Sequence, residues 1–316
     1  MPVIALEGVT KRFAGHTAVE GLSLDVPAGG IYGLLGRNGA GKTTTIRMIL
    51  GILPADEGTV TLLGNASNQR SVSARVGYLP EERGLYRKMR VLDQLIFLGE
   101  VKGVSRSRAR RQSRAWLDRL GIGGWEKRKV EELSKGMQQK VQFIGSILHD
   151  PELVILDEPF AGLDPISSRE MREIVVEMAR QGRTVLFSTH IMEQAERMCD
   201  RIAIIAAGRK VLDGSLADIK REFGTRYVAL TFTRNAAAAG RVLQDRTLTA
   251  RVNDYGASAE VELAQGTNGE ALLRALVAAD VGLGRFELVE PSLHAIFEAK
   301  VGRDSATAPT EDPVHA

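Results

Sequence analysis

Apolar residues recur along this chain with two periods, and each change of period marks an element. Leu22-Ser23-Leu24-Asp25-Val26 alternates apolar with polar, as an antiparallel strand with one buried face does. Ile31-Tyr32-Gly33-Leu34-Leu35 does not alternate and reads as a buried strand. Beyond it Ile46, Ile49, Leu50 and Leu53 lie at i, i+3, i+4 and i+7, which predicts a helix from Lys42 through Leu53. Unbroken apolar runs at 153–156 and 202–207 predict two further core strands, and Thr184–Thr189 reads as a third. Met137, Val141, Ile144 and Leu148 follow Ser134 at helical spacing, so a second helix begins there. Residues 81–133 read as an inserted helical region, with a helix opening in Ser105–Arg111 whose Ala109, Trp116 and Leu120 share one face. The arginines of that helix read as a solvated face.

A different pattern starts near Glu222. Tyr227–Phe232 and Ala259–Leu263 alternate as half-buried strands do, and Phe286–Val289 suggests another. Thr267 and Glu270 form a capping box for a helix through Leu272, Leu273, Leu276 and Val277. Pro291 fits the first turn of a last helix carrying Leu293, Ile296 and Phe297. The expected organisation is therefore a first domain over 1–221, a small α+β domain over 222–301 and a disordered tail over 302–316, rich in Ala, Thr, Pro, Asp and Glu.

Composition narrows the function. The chain has 316 residues, enough for two domains with a large core. Its net charge of +3, from 42 basic and 39 acidic residues, argues against a nucleic-acid partner. The single cysteine, Cys199, excludes a disulfide framework and a cysteine-rich zinc site, and is expected to be buried in a helix. No signal peptide opens the chain, and no apolar run approaches the roughly 18 residues of a membrane span.

Three clusters carry chemistry. Gly36-Arg37-Asn38-Gly39-Ala40-Gly41-Lys42-Thr43-Thr44 fits G-x-x-x-x-G-K-[ST] at every position, between a strand and a helix. Its backbone N–H groups suit phosphate oxygens, Lys42 brings an ammonium to the outer phosphates, and the Thr43 hydroxyl can ligate Mg²⁺. The positive helix terminus faces the same anion, so the chain binds a nucleoside triphosphate. Asp157-Glu158 ends a buried strand; read alone the pair is either a turn or a metal-holding acid followed by a base for water. Ser134 is either an N-cap only or part of a second phosphate grip at a helix start.

The phosphate loop, then Leu133-Ser134-x-Gly136-x-Gln138-Gln139, then Val154-Ile155-Leu156-Asp157-Glu158-Pro159 resemble the nucleotide-binding subunit of an ATP-binding cassette (ABC) transporter over about residues 3 to 220. The resemblance implies an α/β P-loop cassette, a mixed sheet core with a helical insert, followed by a small C-terminal α+β domain like that of ABC-2-type exporter ATPases. It implies that Phe13 stacks on adenine, that Glu158, His190 and Lys42 are catalytic, and that Thr43, Glu81 and Asp157 serve the metal. Ser134, Gly136 and Gln138 would touch ATP held by a partner cassette, and Asp164 would reach across that dimer. The implied cofactors are ATP and Mg²⁺. The implied partners are separate transmembrane permease chains and a second cassette, in an ATP-dependent homodimer or heterodimer. The protein would sit peripherally on the cytoplasmic face of the membrane, and attraction of its arginine-rich insert to anionic headgroups is the alternative to a solvated face. Three positions depart from the pattern: Glu81 for a glutamine, Lys135 for a glycine and Met137 for a glutamine. Ribosome- or DNA-acting relatives carry paired cassettes, coiled coils or zinc modules that this chain lacks, and the Asn-Lys-x-Asp motif of GTPases is missing.

Overall fold

The computed structural model describes residues 2–66, 73–82, 84–224 and 226–301. It divides into two units, Met1–Gly214 and Ser215–Ala316. The boundary expected after Arg221 falls inside the helix Leu216–Phe223, which belongs to the second unit. Ser215 caps that helix by accepting from Asp218 N at 3.1 Å, Ile219 is its buried residue, and Lys300 lies over the Phe223 ring. The tail expected to be disordered lies outside the described residues.

The first unit has two sheets. Strands β1 (Pro2–Phe13), β2 (His16–Pro27), β4 (Glu57–Leu62) and β5 (Asn65–Ala66) form an antiparallel sheet in the order β2-β1-β4-β5. The other sheet takes the order β10-β9-β3-β8-β7-β6, from β3 (Gly30–Leu35), β6 (Val76–Leu79), β7 (Leu153–Asp157), β8 (Thr184–Thr189), β9 (Arg201–Ala206) and β10 (Arg209–Ser215). β3 runs parallel to β8 and β9, and β7 runs parallel to β6 and β8. Every residue of β7 and β8 is buried, which explains why their sequences show no alternation. The helix Lys42–Ile49 packs into the core with Leu6 and Leu24 of the antiparallel sheet and Leu34 and Ile155 of the other. Ile46 and Ile49 are fully buried there, worth roughly 1.5–3 kcal/mol each.

That helix is shorter than its spacing predicts. Gly51, at φ 65°, turns the chain into the left-handed region, and its N–H bonds Met48 O at 3.0 Å while Ile52 N bonds Arg47 O at 2.9 Å. This pair of bonds ends a helix cleanly, and Leu53 joins the core from outside it. In the insert, helices Val91–Val101 and Arg106–Arg119 pack together. Ala109, Ser113 and Leu117 form the buried face, with Leu120 just past the end, whereas Trp116 lies on the flank under the Arg119 guanidinium. Cys199 is buried, but it follows the helix Met192–Met198 instead of lying within it.

The second unit has β11 (Tyr227–Arg234), β12 (Thr249–Asp254), β13 (Ser258–Leu263) and β14 (Gly282–Val289) in the order β12-β13-β11-β14, all pairs antiparallel. Helices Ala236–Leu243 and Gly269–Ala278 complete a β-α-β-β-α-β chain order, that of a ferredoxin-like unit. Its core joins Val228, Leu230, Val261 and Leu263 to Ala239, Leu243, Leu272 and Leu276. A single cap replaces the predicted capping box: Asn268 accepts from Ala271 N at 2.9 Å, while Thr267 Oγ1 donates to Thr247 O. Val277, expected on the packed face, is 62% exposed. Pro291 precedes the last helix, Leu293–Val301, instead of lying in its first turn, and Ser292 caps that helix by accepting from Ala295 N at 3.1 Å.

Candidate functional site

The parallel strands of the first unit set the site. Their pairing aligns Leu35 with Thr189 and Asp157 with Ser188, so the segments that follow β3, β7 and β8 leave the sheet at one edge. β6, paired Leu79 to Leu156, delivers Pro80 and Glu81 to that edge as well. Ligands bind where such carboxyl ends converge. A cavity of about 350 Å³ lies there, lined by Phe13, His16, Ala18, Asn38–Thr44, Glu81 and Glu158.

The phosphate loop approaches its neighbours too closely for side chains at two positions. A Cβ on Gly36 would lie 2.4 Å from Ile205 O, and one on Gly41, whose φ is +103°, would lie 2.5 Å from Ala18 O. The loop is also braced from the turn between β9 and β10: Gly208 N donates to Ala40 O at 3.1 Å, and Gly208 O accepts from Glu20 N at 2.9 Å. Lys42, only 6% exposed, donates to Gly36 O at 2.8 Å and to Arg37 O at 3.2 Å.

Lys42 Nζ lies 3.4 Å from Glu158 Oε1, and the same oxygen is 2.9 Å from His190 Nδ1. Lysine, carboxylate and histidine therefore meet on one atom. Glu158 is buried and holds φ at +48°, a left-handed conformation unfavourable for a glutamate. The Ser188 hydroxyl holds it there, accepting from Glu158 N at 3.1 Å and donating to Asp157 Oδ1. Ser188 is a site residue that the sequence reading misses, because its partners lie 30 and 31 residues away along the chain.

Asp157 is fully buried, and its Oδ2 has no hydrogen-bond partner among the described residues. Burial pushes its carboxyl up from the usual range, against the opposing pull of bonds from Ser188 and Thr43. An orphaned carboxylate oxygen beside a threonine hydroxyl and a phosphate cradle fits a hard divalent cation, which takes oxygen ligands.

Phe13, Lys42, Thr43, Glu81 and Glu158 thus share one site, which His190 joins through its bond to Glu158 and beside which Asp157 is buried. Phe13 is 47% exposed, with the Lys11 ammonium 5.8 Å from its ring centre. Glu82 turns elsewhere, toward Arg47 at 3.8 Å. The structure does not bring Ser134, Gly136, Gln138 or Asp164 to this cavity. Ser134 caps the helix Lys135–Ile147 by accepting from Met137 N at 3.2 Å, and Gly136 N-terminally flanks Met137 beside Leu163. Gln138 Nε2 donates to Leu133 O at 3.0 Å. Asp164 caps the helix Pro165–Arg180, accepting from Ile166 N and Ser167 N, both at 3.0 Å. Among the described residues no helix is long and apolar enough to cross a membrane.

The family model described as "ABC transporter" matches residues 19–161, and that of the "ATP-binding protein DrrA1-3-like, C-terminal domain" matches 214–301. The chain is 43% identical over 300 residues to the uncharacterized ABC transporter ATP-binding protein YhaQ of Bacillus subtilis, covering 95% of this chain and 99% of that protein. It is 31% identical over 318 residues to the daunorubicin/doxorubicin resistance ATP-binding protein DrrA of Streptomyces peucetius, covering 98% and 96%. A solved ATP-binding subunit of an ABC transporter superposes with a TM-score of 0.66 at 31% identity, over 70% of this chain and 93% of that one.

Proposed function

The chain belongs to the ATP-binding proteins of ABC transporters, a family of ATPases, and from that premise we propose that it is the motor subunit of an ABC-2-type exporter. Its permease is a separate membrane-spanning chain, and the motor lies against the cytoplasmic face of the membrane. The observation that carries the reading is the meeting of Lys42 and His190 on Glu158 Oε1 at the mouth of the phosphate loop. The match of the second unit to the C-terminal domain of DrrA-like proteins, one of which is named for drug resistance, supports the exporter branch.

In this reading Phe13 stacks on adenine, and the loop N–H groups of 36–44 with Lys42 hold the phosphates. Glu158 Oε1 accepts a proton from the attacking water and aims it at the γ-phosphate. His190, bonded to that carboxylate, orients it and reaches the same phosphate. Thr43, Asp157 and Glu81 would hold Mg²⁺. When bound, the ion offsets the negative charge that gathers on the phosphoryl oxygens.

Ser134, Gly136, Gln138 and Asp164 act in trans in this reading. They lie outside the cavity, so they meet ATP bound to a second copy, and ATP joins the two cassettes until hydrolysis releases them. Purifying the tagged full-length chain from native membranes tests the proposal. A multi-helix permease that copurifies in an ATP-dependent way is the expected result; ribosomal proteins in its place would overturn it.

A further inference from the structure

The helix that starts after Ser134 carries two glutamines three residues apart, Gln139 and Gln142, which places them on one side of it. Both are buried, at 4% and 7% exposure. Gln139 Nε2 donates to Pro159 O at 3.1 Å, in the loop just after Asp157-Glu158. Gln142 Nε2 donates to two carbonyls of the other acid-bearing loop, Pro80 O at 3.3 Å and Glu82 O at 3.0 Å. These two carbonyls bracket Glu81. Gln142 Oε1 is buried with no hydrogen-bond partner among the described residues. Burying an amide with its acceptor unmatched weakens a fold, so the two donor bonds are what a glutamine contributes here that an alanine or leucine could not.

We propose that Gln142 is a positioning residue for hydrolysis, holding the 80–82 loop so that Glu81 stays at the rim of the ATP cavity. The inference rests on the reading of Glu81 as a metal-site carboxylate. The bonds have a second consequence. Gln142 lies eight residues along the helix from Ser134, about 12 Å at 1.5 Å per residue. A displacement of Ser134 by nucleotide bound to a second copy is therefore carried by a rigid helix to Glu81 of the same chain. Gln139 delivers the same displacement to the loop behind Glu158.

Gln142→Met keeps the length and burial of the side chain and removes both donor bonds. In the full-length protein without nucleotide, backbone amide exchange of the 79–84 segment should become about tenfold faster. Exchange in the helix Lys42–Ile49 should not change. The Mg²⁺ concentration for half-maximal ATPase should rise, as it should in Glu81→Ala. The double variant should rise no further than Glu81→Ala alone, because one residue acts through the other. Should Gln142→Met not fold, Gln142→Asn, which keeps the amide but is too short to reach both carbonyls, gives the same readouts. Unchanged exchange in 79–84, or additive shifts in the double variant, would overturn the proposal. A Glu81→Ala protein with an unchanged Mg²⁺ requirement would instead refute the metal-site reading of Glu81, and the exchange result would still decide whether Gln142 holds the loop.

Discussion

The two units of this chain both pack helices on a sheet, yet their sheets present their ends differently. In the first unit β3, β6, β7 and β8 run parallel, so four consecutive strand ends open onto one edge. The phosphate loop, Glu81, Asp157, Glu158 and His190 follow those ends. In the second unit β11 runs antiparallel to both its neighbours, and adjacent strands end at opposite edges. Its charged residues are engaged with local partners instead: Glu262 lies 3.8 Å from Arg226 and 3.7 Å from Arg251, and Glu260 accepts from both Ser292 N and Ser292 Oγ before the last helix. Strand direction, more than the number of charges, decides which unit collects a reactive site.

The comparison is sharpened most by removing the base at the convergent edge. Glu158→Gln keeps the shape and the hydrogen-bonding reach of the side chain, so ATP should still bind while turnover falls roughly 10²–10⁴-fold. Size-exclusion chromatography with ATP should then show a stable dimer. Near-normal turnover would move the catalytic role to another residue.

Lys42→Ala should come next, weakening ATP binding on the order of 10–100-fold, because it removes a charged donor aimed at the phosphates. His190→Ala should leave affinity intact and slow hydrolysis. Titration calorimetry separates the two, and an equal loss of binding in both would refute the distinction between holding and switching at this edge.

Ser188→Ala should act more mildly. It strips Asp157 and the Glu158 N–H of a shared partner in the core, which costs about 1–3 kcal/mol of stability. The maximal rate should fall while KM for ATP stays near its original value. A variant as stable and as active as the parent would mean that the left-handed backbone at Glu158 is held by something else.

The smallest effect is expected from ending the chain at Gly214. If only the parallel edge collects chemistry, the shortened protein should fold and bind ATP with unchanged affinity. An insoluble or nucleotide-free product would break the comparison, since the second unit would then contribute to the core of the first.

The parallel sheet was legible in the sequence because strands buried on both faces leave unbroken apolar runs, and because its loop chemistry is concentrated in short motifs. The second unit was harder to read. Ala236–Leu243 opens with four alanines in succession, so Val242 and Leu243 are its large apolar residues and no helical spacing of such residues can be read. Thr249–Asp254 is an edge strand with two apolar residues, Ala250 and Val252, too few to stand out from a polar loop. Errors at helix ends had local causes: Gly51 stopped a helix that Leu53 would have extended, and Asn268 outcompeted Thr267 as a cap. Within the site, Ser188 and Gln142 were invisible for one shared reason. Each acts on residues far away in sequence, Ser188 on 157–158 and Gln142 on 80–82, and no local period records such contacts.

The bond from Gly208 to Ala40 has a thermodynamic consequence. A glycine-rich loop left free would lose conformational entropy when it closed on a nucleotide, and affinity would fall by that amount. Here the β9–β10 turn has already ordered the loop during folding. Nucleotide affinity is thus partly a property of a hairpin that touches no phosphate, and a lesion there would surface as a binding defect with an intact active site.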